Sequence, residues 1–252
     1  MSKRQQFIIV TIILTVGLEV LPFTPRNLQI PFALGLGIVS YITTALVLLY
    51  DLKGIEYFSL PLLPGLLTFC MASIFFFFPN FSLPFRFAYG LLFITGYYFT
   101  LLSANILNVA KNKPLPLFRV AYTVLFLSTL FTGFLFFTLI YKAVLPVWLQ
   151  LALIFIIVFI LGLASLWTVE IPERPARKLA ALSLFLSLMA TETAVFISFL
   201  PIESFFRALA LATSLYIYLG VGHQYLRRSL SHTSLVEYGI IAIFVGFVLI
   251  LV

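Results

Sequence analysis

The chain has 252 residues, 63% of them hydrophobic and 9% charged, with a formal net charge of +7. Soluble domains are about a quarter charged and need polar surface to meet water, so this composition excludes a water-soluble fold. The basic residues are spread over short loops with no basic-aromatic groove, which points to phospholipid headgroups and not to nucleic acid.

The first stretch, "MSKRQQFIIVTIILTVGLEVLPF", has the basic start and apolar run of a signal peptide. No small-x-small cleavage site follows it, so it reads as an uncleaved first span. A helix needs about 20 apolar residues to cross the hydrocarbon core. Pro, Gly and charge divide the chain into nine such runs: 6–22, 29–50, 57–78, 86–109, 118–141, 145–169, 178–200, 203–222 and 233–252. They are too long for strands and do not alternate. The expected fold is therefore all-α, a polytopic transmembrane helix bundle forming a single membrane domain.

Three local features accompany these runs. Pro61 and Pro64 fall in the first turns of the third span and free carbonyls that neighbouring helices must satisfy. Trp148 and Trp167 fall near the two ends of the sixth, where indoles favour the interface. The turn "YKAVLPV" decides the count, because one broken helix there would invert the topology beyond it.

Lysine and arginine in short loops mark the cytoplasmic side. With the N-terminus inside, the inner segments hold Lys3, Arg4, Lys53, Lys111, Lys113, Arg119, Arg174, Arg177, Lys178, Arg227 and Arg228, and the outer ones Arg26, Arg86, Lys142 and Arg207. Eleven of the 15 basic residues thus lie inside. Nine spans then leave the C-terminus outside. The expected location is the plasma membrane, with anionic headgroups against the inner loops.

Much chemistry is excluded. Every lysine lies at or near a loop, which leaves none for a buried Schiff base. His223 and His232 flank the last inner loop, too shallow for an intramembrane haem pair. Asp51 is the one aspartate, and Cys70 the one cysteine, so aspartyl dyads and redox pairs are absent. No nucleophile elbow, zinc helix or phosphate loop occurs, and no ligand cluster suggests a metal or other cofactor.

The costly residues are few. Glu192, in "MATETAVFISFLP", lies deep in the seventh span, where a carboxylate costs about 2.5 kcal/mol or more unless paired, protonated or wetted. Two readings stand: a polar pathway, or a structural ion pair with Arg207 near the same outer surface. In both, Glu192 is expected to face the bundle interior. Ser183, Ser187, Thr191, Ala194 and Ser198 form a small-residue stripe, and Phe185, Met189, Glu192, Phe196 and Phe199 lie on an adjacent face. Close packing is expected of both stripes. Glu19, near the outer end of the first span, can pair with Arg86 or Arg207 or reach the headgroups. Asn105 and Asn108 share a face near the inner end of the fourth span. They bond across helices or form a polar vestibule with Arg119 and Tyr122. His223, Arg227 and Arg228 close the eighth span as a contact for lipid or a cytoplasmic partner.

The stretch "SANILNVAKNKPLPLFRVAYTVLFLSTLFTGFLFF", residues 103–137, resembles an uncharacterised multi-pass membrane family of small-genome candidate-phylum bacteria. The resemblance implies a bacterial plasma-membrane setting and no particular chemistry. The functional reading placed first is a small permease-like or channel-like protein. A non-catalytic membrane subunit or scaffold, acting through a membrane partner or as a homo-oligomer, is the alternative, and a lipid-modifying enzyme comes third.

Overall fold

The computed structural model describes residues 2–49, 56–78, 81–110, 117–170 and 177–251. Lys53, Lys111, Lys113 and Arg174, used above for the charge bias, and Asp51 lie outside them. Among the described residues there are nine α-helices and no strand: α1 (Lys3–Val20), α2 (Arg26–Leu48), α3 (Glu56–Phe77), α4 (Leu83–Ala110), α5 (Phe118–Lys142), α6 (Val147–Glu170), α7 (Arg177–Ser198), α8 (Ser204–Leu226) and α9 (His232–Leu251). Eight of them, α1 to α8, are long and apolar enough to cross a membrane.

Local chemistry explains where the helices begin and end. Ser2 and Gln5 form a reciprocal capping box at the start of α1, each side chain bonding the other's backbone. α8 ends in a Schellman motif: Ser229 N–H donates to Gln224 O at 3.0 Å and Arg228 N–H to Tyr225 O at 3.1 Å. Arg228 itself takes the left-handed conformation, with φ 55°. The critical turn "YKAVLPV" is a true break. α5 ends at Lys142, Val144 turns left-handed with φ 50°, and α6 begins at Val147 just after Pro146.

The helices fall into two compact units, Met1–Ser128 and Thr129–Val252, with α5 contributing to both. In the first, α1 packs on α2 and α4, and α3 also packs on α2 and α4, which closes a four-helix arrangement. The tightest seam joins α2 and α3. A methyl group added at Gly37 would lie 2.9 Å from Phe69 Cβ and 3.2 Å from the Gly65 carbonyl, so these backbones meet because neither glycine has a side chain.

The prolines of α3 are accommodated in the same seam. Pro61 cannot donate to the Tyr57 carbonyl, and the Tyr41 hydroxyl of α2 donates to it instead at 3.1 Å. Ser40 of α2 donates to Pro64 O at 3.2 Å and lies 3.0 Å from the Tyr97 hydroxyl of α4. Thr44 is 3.1 Å from that same hydroxyl, and Thr68 is 2.9 Å from Ser40 Oγ. Ser40, Thr44, Thr68 and Tyr97 are all fully buried. Hydroxyl groups thus bind α2, α3 and α4 where no hydrophobic force can do so within lipid.

In the second unit α6, α7 and α8 pack on one another, and α9 packs on α8. A methyl group added at Gly162 would lie 3.6 Å from Ser183 Cβ across the α6–α7 seam, and Thr193 bonds Tyr218 of α8 at 2.7 Å. Trp148 is 70% exposed near the start of α6, as an interfacial indole should be. Trp167 departs from expectation: at 2% exposed it is a packing residue, its ring buried among neighbouring side chains.

Candidate functional site

The first correction concerns Glu192. It is exposed, on the outer face of α7 between exposed Leu188 and Phe196, and does not face a core. The small-residue stripe explains this. Of its members Ser183, Ser187 and Ala194 are buried, beside Ala190, while Thr191 and Ser198 are half-buried, because small side chains let α7 approach its neighbours closely. That turns Phe185, Phe196, Phe199 and Glu192 outward, so the second stripe does not pack as expected.

Arg207 is not the partner of Glu192. Its Nε donates to the Ile202 carbonyl and its Nη2 to the Leu200 carbonyl, each at 3.0 Å. The turn between α7 and α8 leaves these carbonyls without helical donors, and the guanidinium supplies them. Among the described residues, no hydrogen bond or ion pair reaches Glu192. By helix geometry it lies about 22 Å from the start of α7 and about 9 Å from its end.

Glu19 and Arg86 lie together, in the first unit. They line a groove of about 330 Å³ between α1 and α4, with Thr15, Phe23, Leu83, Phe87, Gly90, Leu91 and Ile94. The Arg86 guanidinium stacks over the Phe23 ring at 5.3 Å, and its Nε is buried with no hydrogen-bond partner. The Glu19 carboxylate lies against the backbone of α4 at Gly90, where an added methyl would stand 2.6 Å from Glu19 Oε1. Glu19 and Arg86 interact electrostatically but do not close a salt bridge.

The inner amides are divided. Asn108 is buried, while Asn105 is half-buried with its Oδ1 lacking a partner. Tyr122 is half-buried and Arg119 is exposed. Arg227 and Arg228 are exposed at or near the end of α8. His223 is not a surface contact: it is 5% exposed and lies 3.0 Å from Ser165 of α6. Helical phase explains the difference, because His223 follows buried Leu219 and Gly220 on the same side of α8.

Two features escaped the sequence reading. Glu56, the first residue of α3, is fully buried. In the sequence it falls one residue before the third apolar run, where a loop is expected. The Tyr89 hydroxyl donates to the Met71 carbonyl at 2.8 Å, which sets α3 and α4 in an antiparallel register. Glu56 therefore belongs to the same end of the first unit as Asn105 and Asn108. The second feature is the hydroxyl cluster around Tyr97. Ser40, Thr44 and Thr68 carried a signal, since each lies on a small-residue face, but three helices had to be assembled to show that they meet.

A chain whose described residues form helices without a strand, eight of them apolar and of spanning length, is a multi-pass membrane protein. It belongs to the family described as "Protein of unknown function (DUF5656)", whose model matches residues 50–252. No curated protein and no solved structure matches the chain.

Proposed function

We propose that the chain is a nine-span plasma-membrane protein, N-terminus inside and C-terminus outside, serving as a non-catalytic subunit or scaffold of a larger membrane assembly. The apolar α9 supports the ninth span, and the bias of basic residues supports the orientation. The observation that carries the assembly role is the exposed Glu192. A carboxylate facing hydrocarbon costs about 2.5 kcal/mol or more. A helix from another protein, bringing a hydrogen-bond donor to that depth, removes the cost. Twofold self-association through α7 would instead set two Glu192 carboxylates against each other, so a different protein is the favoured occupant.

The test is the size of the particle extracted from its native membrane with its surrounding lipid retained. The wild type is expected in a complex larger than one chain. Glu192→Leu should release the single chain, and Glu192→Gln, which still accepts a hydrogen bond, should retain the complex. A wild type that is already a single chain would overturn the proposal.

A permease-like role is the second reading, and a different observation favours it: buried Glu56, Asn108 and the Tyr97 hydroxyl cluster place polar groups at successive depths of the first unit. In that reading the pathway runs there and not past Glu192. Proton flux in reconstituted vesicles, abolished by Glu56→Gln in a folded protein, would favour it over the scaffold.

A further inference from the structure

The groove between α1 and α4 combines two opposite charges with an apolar wall, at a depth that suits a lipid headgroup. Glu19 lies about one turn from the end of its span, and Arg86 within the first turn of α4. Beyond them Phe87, Leu91 and Ile94 follow one another along α4 at helical spacing and line the groove. Phe87 is 71% exposed, a surface left open for hydrocarbon.

Each charge is held short of the other. Stacking on Phe23 fixes the Arg86 guanidinium, and its buried Nε is left without an acceptor. That is a cost unless a ligand oxygen completes it. Gly90 lets the Glu19 carboxylate lie against α4 without closing onto Arg86. A guanidinium matches the paired oxygens of a phosphate, and a carboxylate accepts from an ammonium that still carries hydrogens. We propose that this groove binds a phospholipid whose headgroup carries both a phosphate diester and a primary amine, with the phosphate on Arg86, the amine on Glu19 and an acyl chain along Phe87, Leu91 and Ile94. Both charges of the groove are then matched and hydrogen-bonded by one molecule; an anionic lipid brings no cation to Glu19, and a quaternary amine brings charge without an N–H donor. The groove uses no residue of α7, so the two proposals stand or fall independently.

The test uses the purified full chain and native mass spectrometry in mild detergent, with phosphatidylethanolamine, phosphatidylcholine and phosphatidylglycerol added in turn. The wild type should retain phosphatidylethanolamine about tenfold better than phosphatidylcholine, a difference of about 1.4 kcal/mol. Arg86→Gln should lose retention of all three. Glu19→Gln should lose the preference for the primary amine. Gly90→Ala should do the same, because a methyl there displaces only the flexible end of Glu19 and leaves the packing intact. Detergent melting of each variant serves as the folding control. Equal retention of phosphatidylethanolamine and phosphatidylcholine by the wild type would overturn the proposal. Tighter retention of phosphatidylglycerol would reduce the site to a simple anion contact, which also overturns it. Soluble phosphoethanolamine that displaces the lipid at equal concentration would show that the apolar wall contributes nothing, which overturns the assignment to a lipid.

Discussion

Glu192 and Arg207 are both recognisable from sequence as expensive in a membrane, and a carboxylate and a guanidinium so placed invite pairing. The structure gives each a different role. Arg207 donates to the Leu200 and Ile202 carbonyls, while Glu192 looks outward. A double-mutant cycle separates these arrangements. Arg207→Met should lower stability in detergent by about 1–3 kcal/mol, the cost of two carbonyls losing a charged donor. Glu192→Gln should leave melting nearly unchanged, and the double variant should equal the sum within about 0.5 kcal/mol. Rescue of Arg207→Met by Glu192→Gln would restore the ion pair.

At the scale of helices, every terminus falls within four residues of its expected span boundary. Which face of each helix packs is a separate matter, and glycines show it well. Gly35 has nothing within 4 Å of an added methyl, whereas Gly37, two residues on, has Phe69 Cβ at 2.9 Å. Gly35→Ala should be neutral or stabilising by up to about 1 kcal/mol, through helix propensity alone. Gly37→Ala should destabilise by about 1–3 kcal/mol, because α2 must move away from α3. Paired melting curves check this, and equal curves would mean that the α2–α3 seam is looser than described. The α7 seam makes a parallel case. Ser187 is fully buried, so Ser187→Leu should force α7 off its neighbours and lower the melting temperature by several degrees, on the order of 1–3 kcal/mol of overpacking. Leucine at half-buried Thr213 of α8 should cost less than leucine at Ser187.

For the whole molecule, the proposed topology is open to single-cysteine labelling in a Cys70→Ser background. Ser82, between α3 and α4, should react with a membrane-impermeant thiol reagent from outside the cell. Ser229, between α8 and α9, should react only after permeabilisation. Labelling of both from one side would remove the nine-span orientation while leaving the helix boundaries as they are. Cys70 is buried, and its replacement by a small side chain is the reason such a background is practical.

Sequence by itself determined the environment, the helical class and the helix limits, because these follow from summed properties of consecutive residues: apolar run length, proline and glycine punctuation, and loop charge. Only the tertiary structure decided which costly residues meet. Glu19 approaches Arg86 across α1 and α4, Tyr97 meets Ser40 and Thr44 of α2 while Thr68 of α3 reaches Ser40, Glu56 is buried and Glu192 is not. In a membrane every helix is apolar on nearly all sides, so the contrast between wet and dry faces that orients a soluble helix is missing. The rotation of each helix is set instead by close approach at small residues such as Gly37, Gly65 and Ser183, and that complementarity exists only between helices.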